Sequence, residues 1–486
     1  MRVNADNDAT GPGRLLVGAD DPSLTPYAGL VIVGELARRT RLVELIDAEL
    51  GAVRAARAVK ARRRGLSAGA LVVSLAECQI AGAECFDDVE NVRADRAGAP
   101  LRAVAATPSA PAARQLARRF RPSHIRAIER AQARVAERLD RELWRDLTEA
   151  VDFDLDATET EVYGPKKRGA ARSHSGALAY NSYVVTWARR GRALTSELKG
   201  GNQARISAAE SARMIARAAG LLPAEHGQVT VRGDSGFYSA ELMMRLRKQR
   251  VRFTLSAPRT TTMWRALSEI PEDAWADATE MRGAQVAETA FTPDGFEHEP
   301  LRLIVRRVAV SAAELQAASP KARRRTTIPA DQLAMVLDGQ LASTYAYSFI
   351  VSDIPDSEKS TVEVEHYHRQ RAQIEERFKD AKLGQPLRHL PCGDMDANRM
   401  WLACCLLALN ITAIVCDISP AAGASGAAPE GTPLRRHAKA LRQILFCAPA
   451  RITRSARQTI VHLADGFRHL HAFQATYEAA YALGAP

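Results

Sequence analysis

At Val151 the chain changes period. Val151-Asp152-Phe153-Asp154-Leu155-Asp156-Ala157-Thr158 alternates apolar and polar residues, the pattern of a strand with two unlike faces. Before it the spacing is helical: over Gly29 to Leu50, from an N-cap at Ser67 to Gly82, and from Pro108-Ser109 to Phe120. After it come strands at Gly176 to Arg189 and Ala193 to Lys199 around an Arg190-Gly191-Arg192 turn, then a helix from Ile206 to Gly220. A strand over Gln228 to Asp234, a helix capped by Ser239 and running to Arg250, and a strand over Val251 to Ser256 complete the run. The expected class is α/β, an RNase H-like mixed sheet flanked by helices.

The stretch from Pro258 to about Leu341, with strand-like Leu301 to Val310, breaks that order and reads as a β-rich insertion; Tyr345 to Ser352 is then a last strand. From Trp401 onward the chain reads as helical, apart from an Ala/Gly/Pro-rich linker at Ala421 to Pro433. The expected division is a flexible N-terminus (1–24), a helical DNA-binding domain (25–148), the first part of the catalytic domain (149–256), the insertion (257–342), the last strand and a glutamate helix (343–392), and a helical C-terminal region (393–486).

Composition narrows the partners. A chain of 486 residues with 46% hydrophobic and 25% charged residues is globular and builds several cores; a net charge of +11 favours polyanions, with nucleic acid first. Between Leu50 and Glu77 there is no acid, while Arg54, Arg57, Lys60, Arg62, Arg63 and Arg64 cluster there, suited to a phosphate backbone. The seven cysteines form no CxxC pair, which argues against a zinc site. The N-terminus lacks an apolar signal core, and Trp401 to Cys416 is too short for a membrane span, so a cytoplasmic protein with no membrane partner is expected.

Three acids sit where phosphoryl transfer needs them. Asp156 near the end of the first strand, Asp234 after a later strand, and Glu375 on a helix would supply hard oxygen ligands to two divalent cations, expected to be Mg2+ with Mn2+ as a substitute. In an RNase H-like sheet the first and fourth strands are neighbours, which would set Asp156 beside Asp234. Asp154 shares a face with Asp156 by the period of two and is the alternative first acid. Glu365 to Lys382 reads as one helix, on which His368, Arg371, Glu375 and Lys382 fall on one face.

Together Asp-Leu-Asp-Ala-Thr (154–158), Gly-Asp-Ser-Gly-Phe-Tyr-Ser (233–239) and Arg371-x3-Glu375-x6-Lys382 resemble the three motifs of the DDE transposases of bacterial insertion sequences. The likeness is narrower still to the branch with a Y-x2-R-x3-E-x6-K signature, insertion-sequence family thirteen-eighty, and covers roughly residues 25–470. The resemblance implies cleavage at terminal inverted repeats and joining of the 3′-hydroxyl ends to target DNA by a DNA-bridged homodimer, with hairpin ends on the route. It implies that Arg371 and Lys382 hold the DNA end. His368 stands in the place of the signature tyrosine, with Tyr367 one position off; either would reach the phosphate. Trp264 and Trp275 in the insertion are candidates for stacking on a flipped base, and Lys166-Lys167-Arg168 for DNA contact. Two other classes compete: a silent transposase-derived DNA-binding protein, and a serine hydrolase built on Ser235, whose surroundings fail the G-x-S-x-G elbow.

Overall fold

The computed structural model describes residues 18–53, 58–60, 64–143, 146–297, 299–317, 319, 323–419 and 436–484. Of the basic cluster, Arg54, Arg57, Arg62 and Arg63 lie outside the described residues, as does most of the 1–24 segment.

Eight long strands make the central sheet: β1 (Val151–Glu161), β2 (Leu178–Trp187), β3 (Arg192–Gly200), β4 (Val229–Gly233), β5 (Arg252–Ala257), β6 (Ala284–Phe291), β7 (Leu301–Ser311) and β8 (Ser343–Ser352). Their order is β3-β2-β1-β4-β5-β8-β7-β6, and two-residue strands on β2 and β6 bring the total to ten. β1, β4 and β5 run parallel, while β2 and β3 run antiparallel on the other side of β1. This is the expected RNase H-like arrangement.

The insertion is not a separate module. β8 pairs with β5 from Phe349↔Ala257 to Ser352↔Thr254, and β7 and β6 continue the same sheet. Long-range pairing of this kind has no local signature.

The alternation of β1 sends Val151, Phe153 and Leu155 to one face, where they pack with Met214 and Ile215 of α3 (Ala208–Ala219) and Leu242 and Leu246 of α4 (Ala240–Lys248). Ser239 caps α4 through the Leu242 amide, and Ser67 caps α1 (Ala68–Ala81) through that of Ala70. On the other face Tyr180, Val184 and Leu198 belong to a second core with Leu71 and Leu75 of α1, Ile128 of α2 (Pro122–Leu143), and Trp401 and Leu407 of α7 (Met395–Ile418). The N-terminal helices and the C-terminal region therefore share one core. α7 is long and apolar enough to cross a membrane, but most of it is buried by protein.

Three local expectations are corrected. Gly29 to Leu50 is two helices, Leu30–Arg39 and Leu42–Gly51, separated where Arg41 takes a φ of 53°. Glu365 to Lys382 is also divided: α5 (Thr361–Arg369) and α6 (Gln373–Leu383) are joined by a 3-10 turn at Gln370–Ala372, with no Gly or Pro to announce it. Beyond α7 the chain is not all helical, because Ala450–Ser455 and Gln458–Leu463 form an antiparallel ribbon.

Glu77 of α1 is fully buried and accepts from the Ala103 amide at 2.7 Å. Burial pushes its carboxyl up to about 7, against the pull of that amide and of Arg102. A folded pKa above the unfolded one binds a proton in the fold, so this group's contribution is fully present below about 4.5 and is lost as pH rises to about 7, by up to ~3 kcal/mol. Glu77→Gln keeps the amide contact and removes the titration. Unfolding melts across pH should show the difference between wild type and variant growing in the variant's favour over that window; a constant difference would mean that Glu77 stays ionised.

Candidate active site

The register places the first two acids. Leu155 pairs with Gly233 across the parallel β1–β4 ladder, so the next residues on each strand are Asp156 and Asp234. Asp234 ends its strand in a turn in which its Oδ1 accepts from the Gly236 amide at 2.9 Å; a Cβ on Gly236 would stand 2.9 Å from that same oxygen. A side chain there would push the Asp234 carboxylate aside, so glycine leaves that oxygen where the turn holds it.

The other face of β1 carries Asp152, Asp154 and Asp156, and each finds a different partner. Asp152 accepts from the Tyr367 hydroxyl at 2.6 Å. Asp154 receives Nε and Nη2 of buried Arg232 at 2.6 and 3.0 Å, and Arg232 also donates to the Tyr367 carbonyl at 3.0 Å. Burial raises the Asp154 carboxyl and opposes charge on Arg232. The two-point contact nevertheless holds Arg232 above its ordinary range, and the pair is read as charged. Asp154 is therefore committed to a structural ion pair, and Asp156 is the acid left facing Asp234.

Asp156 is strained electrostatically. Burial pushes its carboxyl up to about 6; the Ala157 amide and Arg371 pull it down, and the charges of Asp234 and Glu375 push it up again. Those last two effects show that the three acids share one electrostatic neighbourhood. Arg371 Nη1 donates to Asp156 Oδ2 at 3.2 Å, a guanidinium standing among the carboxylates. An all-oxygen anionic set fits a hard divalent cation by charge and donor type. As the side chains lie, no group of three or more His, Cys, Asp or Glu among the described residues is closed tightly enough to hold one.

The remaining predicted residues dock α5 and α6 on the sheet. His368 is buried, with Nδ1 2.8 Å from Thr254 Oγ1 and Nε2 2.9 Å from Ser256 Oγ, both on β5. Burial, with Arg371 and Arg232 nearby, lowers its pKa to about 3, so it is neutral. Burial and Asp152 raise that of Tyr367, whose ring lies 4.9 Å from the Arg232 guanidinium. The His368 ring is withheld from solvent, and the partly buried Tyr367 has its hydroxyl committed to Asp152. Lys382 Nζ donates to the Glu159 carbonyl at 2.8 Å, and burial lowers its pKa. Glu375 is exposed.

Sequence reading missed Asp152, Arg232, Thr254 and Ser256. A signal existed for Arg232, since three aspartates on one strand face next to a core need a cation, and it immediately precedes the Gly233-Asp234 turn. Trp264 and Trp275 belong to an aromatic cluster: Trp264 meets Phe349 at 5.1 Å, and Trp275 stacks on Arg307 at 4.1 Å. Lys167 donates to the Leu390 carbonyl.

The profile of the family described as Transposase DDE domain group 1 matches residues 13–484. No curated protein matches the chain significantly. Among solved structures it is similar to piggyBac transposase, seen by cryo-EM in a synaptic complex with hairpin DNA. The identity is 10% and the TM-score 0.39, over 86% of this chain and 79% of that one. With a profile match over nearly its whole length, the chain belongs to the group 1 family of DDE-domain transposases.

Proposed function

We propose that this chain is a cut-and-paste transposase of the insertion-sequence family thirteen-eighty type. It binds terminal inverted repeats, cleaves there, and joins the 3′-hydroxyls to target DNA through hairpin ends, as a dimer bridged by DNA in the bacterial cytoplasm. The observation that carries this reading is the placement of Asp156 and Asp234 side by side where the β1–β4 ladder stops, with Glu375 on α6 and Arg371, in the turn before it, reaching Asp156.

Asp156, Asp234 and Glu375 would hold the divalent ions, Mg2+ or Mn2+, which when bound activate the attacking oxygen and stabilise the leaving one. The protein's own contribution is placement. Arg371 is paired with Asp156 in the DNA-free chain; a phosphate that takes its guanidinium in two-point contact also releases Asp156 Oδ2. Lys382, tied to the end of β1, supplies a point charge beside that phosphate. Tyr367 and His368 act as positioning residues, fixing α5 to β1 and β5 so that Arg371 and Glu375 arrive over the acids.

The test is cleavage of a duplex carrying the element's ends, taken from the DNA flanking the reading frame, with Mg2+ or Mn2+. Nicked or hairpin products from wild type, and none from Glu375→Gln at unchanged binding, are expected. Binding without products in either metal would establish the silent DNA-binding alternative, and undiminished cleavage by Glu375→Gln would remove that residue from the site.

A further inference from the structure

We infer that the C-terminal ribbon, Ala450–Ser455 paired with Gln458–Leu463, is a DNA-contacting element separate from the active site, resting along the phosphates of a duplex groove. The inference rests on the transposase reading and adds a surface to it.

The ribbon has two ends of different character. At its base the register pairs Ala450 with Leu463 and Ile452 with Val461, and these side chains seat in the helical core. The opposite base face pairs exposed Arg451 with exposed His462. Past Ile452 the core no longer covers it: Arg454, Ser455, Ala456, Arg457, Gln458 and Thr459 are all exposed. The turn is tight, with Ala456 at a φ of 51°, which sets Arg457 at the tip.

Charge selects the occupant. From Ala450 to Ala464 there are three arginines and a histidine and no acidic residue. The nearest carboxylate to Arg451 is that of Asp21, at 3.8 Å, and among the described residues neither Arg454 nor Arg457 has an ion pair. Hydroxyls and an amide lie between the cations at Thr453, Ser455, Gln458 and Thr459, the donor types that accompany arginine on phosphates. Leu24–Thr25 pairs with the base as a third strand, so the part that stands free as two strands is 453–455 against 458–460, about 10 Å long, and a two-stranded ribbon fits a major groove roughly 12 Å wide. The outer edge of Gln458–Leu463 would also accept a strand from a second copy. That pairing would leave the arginines without a countercharge, whereas a polyanion neutralises them, so duplex DNA is the favoured partner.

The experiment uses the full chain and a mixed-sequence DNA duplex, with binding followed by fluorescence anisotropy across a salt series. Arg454→Gln with Arg457→Gln should weaken binding about tenfold near physiological salt and make the slope of log K against log salt shallower by about 2, one phosphate contact for each arginine. Arg454→Lys with Arg457→Lys should restore most of both, and neither variant should change the unfolding temperature. An unaltered affinity and slope in the glutamine variant, with wild type binding normally, would overturn the ribbon inference alone. A change in mass by light scattering without a change in DNA affinity would overturn it in favour of a contact between copies. If wild type binds no duplex, the transposase reading fails and this inference with it.

Discussion

Asp156→Asn is expected to abolish end cleavage while leaving the DNA-free protein as stable as wild type or more so. The amide keeps the shape of the carboxylate but cannot supply an anionic oxygen to a divalent ion. A loss of about 10³-fold or more, roughly 4 kcal/mol of barrier, should follow. Stability moves the other way because the charge is costly in the fold. Burial and the neighbouring acids raise this carboxyl to about 6, so its contribution to stability is present at low pH and is lost as pH rises from about 3.8 to 6. Removing the titration recovers up to ~3 kcal/mol at neutral pH, less whatever Arg371 loses with its partner. Cleavage assays beside unfolding melts check both halves. Cleavage within tenfold of wild type, or a dead variant that also melts far earlier, would mean that Asp156 is a structural acid.

Asp154→Ala should give the opposite pair of results. Arg232 would remain buried with no countercharge, and breaking such a pair costs about 3–5 kcal/mol. Because Arg232 also holds the Tyr367 carbonyl, the loss should loosen the seat of α5 on β1 and β4. Replacing both members, Asp154→Leu with Arg232→Met, should recover most of the stability, since the cost lies in the orphaned charge. Denaturant unfolding of the single and double variants measures this. At temperatures where the double variant is folded it should still cleave, and a double variant that is stable but inert would return Asp154 to the catalytic set.

Together these two predictions separate residues that sequence could not. Asp154 and Asp156 share a strand face and a motif, and only the cross-strand register distinguishes them. Arg232 lies opposite Asp154, whereas Asp156 lies one residue past the end of that ladder, as does Asp234 on the neighbouring strand. The same limit applies to His368. Helical spacing puts it on the face of Arg371 and Glu375, but β5 brings Thr254 and Ser256 beneath it and turns a candidate phosphate donor into a buried anchor. The ribbon near the C-terminus was lost for a local reason: its turn is Ala456-Arg457, without the Gly or Asn that normally marks a hairpin. The break at Gln370–Ala372 likewise carries no Gly or Pro.

What the sequence determined by itself is what short-range chemistry can encode. The strict alternation of β1 and the serine caps of α1 and α4 define segments from neighbours a few residues apart, and the order of those segments indicated the RNase H-like core. The tertiary structure decided what depends on partners far along the chain: that the insertion extends the central sheet through β8, that the N-terminal and C-terminal helices share one core, and which aspartate of β1 is tied to Arg232. Pairing and burial set these outcomes, and both are properties of residues more than seventy positions apart, such as Asp154 and Arg232.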